Sequence, residues 1–263
     1  MRKNINWKAV FIASIAASLG TLLMTMVSLL VDNWDWLRQA TYMPDGAFSE
    51  AVRSGYLRQP WNTFSSILMI AFGVYVLAIP LLRKKASSLN ISENSITRFI
   101  LAFSMIVIGA GSTFLHMSLS FIGQIADVGG MYLLGAFIVW YALLRHKKIK
   151  TRLFLLVYVA SCVGLVIFLI FVPNLRLYLF AILIAIGLII EFAKNKKVKK
   201  CNPDLLFASA STLLIGFCFW IIDNTQLFFE PMSPFQGHAL WHILSAISML
   251  VLFFYYEPER IEA

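Results

Sequence analysis

The chain has 263 residues, 60% of them hydrophobic and only 13% charged, with a mean hydropathy of +0.79. A soluble domain lies nearer about 45–50% apolar and 25% charged, so the composition excludes an ordinary water-soluble globule and indicates an all-α, multi-pass integral membrane protein. The formal net charge of +9 is gathered in short runs at the ends of apolar segments, a pattern of membrane topology rather than of nucleic-acid binding. Cys162, Cys201 and Cys218 show neither CxxC nor Cys/His spacing, so neither a disulfide framework nor a thiolate metal site is indicated.

The first apolar run, 9–31 within "MRKNINWKAVFIASIAASLGTLLMTMVSLLV", is too long for the core of a signal peptide and suits a spanning helix. It is read as an uncleaved first helix, with residues 1–32 as its segment. A connection at 33–60 follows, the only long one. Further runs able to cross fall near 61–82, 99–119, 121–144, 153–172, 175–193, 205–229 and 235–256, and 257–263 form a tail.

Cytoplasmic loops carry an excess of Lys and Arg. With the N-terminus inside, the cytoplasmic segments hold 18 of the 22 basic residues; only Arg38, Arg53, Arg58 and Arg176 fall outside. Both chain ends are therefore expected in the cytoplasm, with 33–60 on the far side. Attraction to anionic inner-leaflet lipids follows from the same basic runs.

Ionisable groups at membrane depth are costly and usually functional. In "GSTFLHMSLSFIGQIADVGG", Ser112 and His116 are one helical turn apart, and Asp127 lies early in the next span. In "GHALWHILSAISM", His238 and His242 are again one turn apart, and Asp223 closes the preceding span. The topology comes from Lys and Arg alone, yet it puts all six residues near one depth on the extracytoplasmic side. Three imidazoles plus a water make a catalytic zinc site with an open position. A neighbouring carboxylate takes the water's proton, and a hydroxyl stabilises the carboxylate or a developing oxyanion. A lone histidine or a lone HxxxH would more often be a helix-packing hydrogen bond; the joint pattern favours a metal.

These two stretches, with "QPWNTFSSILMI" opening the second span, resemble the alkaline ceramidases of the CREST group of membrane hydrolases, over about 55–256. The resemblance implies a seven-helix zinc hydrolase, so the whole would be a seven-transmembrane ceramidase-like bundle at 61–256 plus one extra N-terminal transmembrane helix. It implies His116, His238 and His242 as zinc ligands, Asp127 holding the attacking water and Ser112 completing the site. Asp223, matched to a family aspartate beside a tryptophan (here Trp220), would orient a ligand histidine. The implied substrate is ceramide or another N-acyl lipid, cleaved to a fatty acid and a free amine. Two departures stand out: the first helix is additional, and the acidic calcium-binding stretch of the eukaryotic enzymes is largely missing. Glu50 matches one acid at most, and Gln59 stands where a later glutamate would be, which puts calcium in doubt. The expected setting is a bacterial cytoplasmic membrane.

Two other classes compete. An adiponectin-receptor-type protein carries a similar residue set, but with its zinc on the cytoplasmic side. A proton-coupled transporter would use Asp127, Asp223 and the histidines as a relay, although these carboxylates cluster at one depth instead of crossing the membrane. The exact lipid and the oligomeric state are not legible in the sequence.

Overall fold

The computed structural model describes residues 6–28, 30–41, 48–81, 93–146, 148–194 and 202–257. Arg2 and Lys3, the basic runs 83–85 and 195–200, Cys201 and the tail 258–263 lie outside the described residues. Among the described residues eight α-helices follow one another: α1 (Trp7–Ser28), α2 (Pro60–Leu81), α3 (Glu93–Ser118), α4 (Phe121–Arg145), α5 (Thr151–Phe171), α6 (Arg176–Lys194), α7 (Pro203–Asn224) and α8 (Gly237–Tyr256). All eight are long and apolar enough to cross a membrane. This is the eight-helix architecture expected from the runs: in lipid every backbone group must be bonded within its own segment, and an α-helix does that.

Helices α2, α3, α4 and α8 bury most of their surface, whereas α1, α5, α6 and α7 keep most of theirs exposed. The first set is therefore the centre and the second faces lipid. Helix α2 packs against α1, α3 and α8; α4 packs against α3, α5 and α6; α7 packs against α8. Helices α6 and α7 make no extensive contact with each other. This leaves a gap in the wall of the bundle.

Small residues set the closest approach, at the α3–α4 seam. A Cβ on Gly111 would come within 2.5 Å of the Ala126 carbonyl carbon and 2.6 Å of the Asp127 nitrogen. On Gly130 it would meet the Ile108 backbone at 2.8 Å. Only glycine permits backbones this near, as is common between membrane helices. The seam brings Ser112 and His116, which follow Gly111, up against Asp127. Leu119, at φ 50°, turns the chain between the two helices.

One span differs from its sequence expectation. Hydropathy carries the span to 229, but α7 stops at Asn224. The hydrogen bonding turns local there instead of propagating the helix: Thr225 Oγ1 donates to the Ile222 carbonyl at 2.6 Å, Gln226 N to the Asp223 carbonyl at 3.0 Å, and Gln226 takes φ 58°. The apolar residues beyond, Leu227, Phe228, Met232 and Phe235, are exposed. Composition alone made them look like part of a span.

Candidate metal centre

Residues 48–59 fold over the end of the bundle formed by the start of α2, the end of α3 and the start of α8. Pro60 occupies the first turn of α2, where its missing N–H costs nothing. The orphan N–H groups of that turn go to a distant carboxylate: Trp61 N donates to Glu50 Oε1 at 2.8 Å and Asn62 N to Glu50 Oε2 at 2.9 Å. Burial pushes the Glu50 carboxyl above its ordinary range, and these two N–H groups partly offset that. Both Glu50 oxygens are thus committed to capping a helix. Gln59 N donates to the His116 carbonyl at 3.0 Å, tying the segment to the end of α3.

Three histidines converge beneath it. His116, His238 and His242 are all buried, and one ligand nitrogen from each lies within 4.8 Å of the others. His116 Nε2 and His238 Nε2 are 3.1 Å apart. Ligands about 2.0–2.1 Å from a tetrahedral zinc are separated by about 3.3 Å, so the three nitrogens lie on the scale of a shared ion. The rings are also set in the right tautomers. His116 Nδ1 donates to Gln59 Oε1 at 2.8 Å. His242 Nδ1 is 3.1 Å from the Asn62 carbonyl, with Ser65 Oγ at 2.9 Å and Ser66 Oγ at 3.1 Å beside it. An amide oxygen only accepts, so Nδ1 carries the proton in both rings and Nε2 is left bare for a metal. His238 is fixed differently: its Nδ1 has no hydrogen-bond partner among the described residues, and Phe48 stacks on the ring at 3.6 Å between centroids. The donor set and its tautomers fit zinc.

Ser112 Oγ lies 3.2 Å from the bare Nε2 of His242 and accepts from Ser66 Oγ at 3.1 Å. The Asp127 carboxyl faces the same hydroxyl from α4. Asp223 takes a different position from the one its sequence context suggests. Its oxygens accept from Ser49 N at 3.2 Å and Gly237 N at 3.0 Å, and no bond to an imidazole is found among the described residues. It holds the start of α8, one residue before His238, and touches the backbone instead of a ring.

The sequence reading thus brings together five of its six residues around one point, with the sixth bracing them. It missed Gln59, Ser65 and Ser66, and Phe48. In the sequence Gln59 is only a departure from an acidic pattern, and its place two residues before Trp61 is the one signal it offers.

Beside the histidines lies a cavity of about 320 Å³. Phe48, Ser112, His116, Asp127, Arg176, His238 and His242 line one end, and mostly apolar side chains of α2, α3, α4, α6, α7 and α8, with a few serines, Glu191 and Tyr256, line the rest. Ala181 and Ala185 of α6 and Leu214 of α7 line it while also being exposed at the bundle surface, so it reaches the gap between these helices.

A three-histidine cluster with a carboxyl and a hydroxyl beside it, above an apolar cavity open sideways between helices, defines a multi-pass membrane protein built to present metal-type ligands to a lipid-sized space. A family model described as Ceramidase matches residues 52–262, and the chain belongs to that family. It is 25% identical over 232 residues to a Dictyostelium discoideum protein provisionally named an alkaline ceramidase, covering 75% of this chain and 79% of that one. It is 24% identical over 211 residues to human alkaline ceramidase 1, covering 76% and 74%. The matched region begins after α1 and contains every histidine, serine and aspartate of the centre.

Proposed function

We propose that this protein is a zinc-dependent hydrolase that cleaves the amide bond of ceramide or a related N-acyl lipid to a fatty acid and a free amine. The observation that carries this reading is three buried histidines, two with Nε2 left bare by their Nδ1 partners, beside an apolar cavity. Zinc held there supplies an acidified water and polarises the amide carbonyl. The chain's own groups do the rest. Asp127 accepts the water's proton as the oxygen attacks the carbonyl carbon, and returns it to the departing nitrogen as the C–N bond breaks; such help is typically worth about 10²–10⁴-fold. Ser112 donates to the charged group beside it. Gln59 and the Asn62 carbonyl keep the ligand rings in place. The gap between α6 and α7 lets a lipid slide in from the bilayer without leaving an apolar medium. The site is proposed to face away from the cytoplasm, on the strength of the 18-to-4 division of basic residues.

One observation bears on the transporter alternative. Glu191, which sequence reading did not mark, is a buried carboxylate lining the far end of the same cavity. It is paired with Arg145, and the wall between it and the histidines is apolar apart from a few serines, so no relay of ionisable groups joins the two ends.

The test is incubation of purified, zinc-loaded protein with a panel of lipid amides and esters, read by mass spectrometry. Release of fatty acid from amides, abolished by a chelator and restored by zinc, is the expected result. A protein that contains stoichiometric zinc yet cleaves no lipid amide would return the receptor reading to the front.

A further inference from the structure

The cavity has a second end, and its chemistry is unlike its walls. There Arg145 Nη1 donates to Glu191 Oε2 and, at 2.9 Å, to the Tyr255 hydroxyl. Tyr255 OH donates to Glu191 Oε2 at 3.1 Å and Tyr256 OH to Glu191 Oε1 at 3.4 Å. The guanidinium sits over both tyrosine rings, 4.8 and 5.2 Å from their centroids. Glu191 is 0% exposed, the Arg145 side chain 2%. The cluster ties α4, α6 and α8 together, while Leu206 of α7 and Leu252 of α8 are buried beside the cavity. Glu191 and Tyr256 themselves line it.

We propose that this Arg145–Glu191–Tyr255–Tyr256 cluster is a fixed floor that admits one methyl-ended tail and limits it to about 10–14 carbons. The identity of the tail as an acyl chain rests on the hydrolase reading above. From His242 to Tyr256 is fourteen residues of α8, or about 21 Å at 1.5 Å per residue. Allowing about 4 Å for the contact at the floor leaves roughly 17 Å. An extended alkyl chain advances about 1.25 Å per carbon, from a zigzag of bonds near 1.5 Å, so this length holds about 14 carbons. The cavity's 320 Å³ holds roughly ten heavy atoms at about 30 Å³ each, which sets the lower figure and excludes a second tail. A second tail of the same lipid stays in the bilayer beyond the α6–α7 gap. The floor does not yield, because parting Glu191 from Arg145 leaves an uncompensated buried charge. Its donors and acceptors are engaged with one another, so a tail ending in a carboxyl or hydroxyl gains nothing there.

Two readouts test this. The first is the chain-length profile of amide hydrolysis; the second, which needs no turnover, is thermal stabilisation of the protein by saturated fatty acids of roughly 6 to 22 carbons. Both are expected to peak near the limit and fall about tenfold beyond it, the scale on which an apolar pocket discriminates a methylene. Leu188→Trp, which fills the cavity one turn above Glu191, should shift both profiles about three or four carbons shorter. Arg145→Leu with Glu191→Ala removes both charges together, a change that folds tolerate better than removing one, and should shift them longer. Stabilisation that shifts with these variants in a protein that hydrolyses nothing supports the floor and sinks the hydrolase reading. Hydrolysis with a profile flat across chain length, or one that neither variant moves, overturns the floor and leaves the hydrolase reading intact.

Discussion

Gln59→Leu isolates the part of the centre that holds a ligand without touching the metal. In the native chain His116 Nδ1 donates to Gln59 Oε1 at 2.8 Å, and Gln59 Nε2 donates to the Glu50 carbonyl at 3.3 Å. Leucine matches the volume and removes both bonds. The Nδ1–H is then buried without an acceptor, which costs about 1–3 kcal/mol. The ring can escape that cost by moving its proton to Nε2, where it blocks the metal. Loss of an outer partner of a ligand histidine typically lowers metal affinity about 10–100-fold, or about 1.4–2.7 kcal/mol. Gln59→Glu keeps an acceptor and should hold zinc at least as tightly as the parent. The assay is zinc affinity by competition with a chromogenic chelator, with thermal unfolding run alongside to separate folding from binding. If Gln59→Leu binds zinc within twofold of the parent, His116 is not oriented through Gln59 and the tautomer argument fails.

Asp127→Asn should retain most of its zinc and lose about 10²–10⁴-fold in turnover, whereas His116→Ala should lose both metal and activity; turnover by Asp127→Asn at the parental rate would remove Asp127 as the base. Ser112→Ala should fall between, since a hydrogen bond to a charged group is worth roughly 1.5–3 kcal/mol, or one to two decades in rate. Gly111→Val should destabilise the protein by an overpacking cost of about 1–3 kcal/mol or more, because its side chain would overlap the Ala126–Asp127 backbone; a thermal midpoint equal to the parent's would show the seam to be looser than described. In a background lacking native cysteines, an impermeant thiol reagent applied to intact cells should label Ser49→Cys after brief opening and should not label Lys148→Cys; the opposite pattern would invert the topology.

The helices and the histidines were legible because each has a local signature. Length and apolarity mark a span, and an ionisable residue inside one stands out. The supporting contacts have none. Gln59, Ser65 and Ser66 are ordinary residues at a helix start, and their meaning lies in what another helix brings to them. Glu191 sits in "IIEFAK" beside a basic run, where it looks like an interfacial charge; only the packing of α4, α6 and α8 puts it inside. The end of α7 was misplaced because "QLFF" continues the hydropathy of the span while Asp223 to Gln226 break its hydrogen bonding. Asp223 shows the limit most clearly: its neighbourhood was recognisable, but its bonds to the backbone of Ser49 and Gly237 depend on a loop with no periodicity to read.

The segment 48–50 touches the centre at each of its residues: Phe48 stacks on His238, Ser49 bonds Asp223, and the Glu50 carbonyl accepts from Gln59. Thermodynamic coupling of this kind is reciprocal. Whatever free energy an ion gains by finding its rings already braced must reappear as added resistance of the segment to lifting away. A protease working near residue 50 would therefore act as a gauge of the metal, cutting the stripped protein faster than the loaded one, and the ratio of the two rates would measure how far the brace and the ligands behave as one unit.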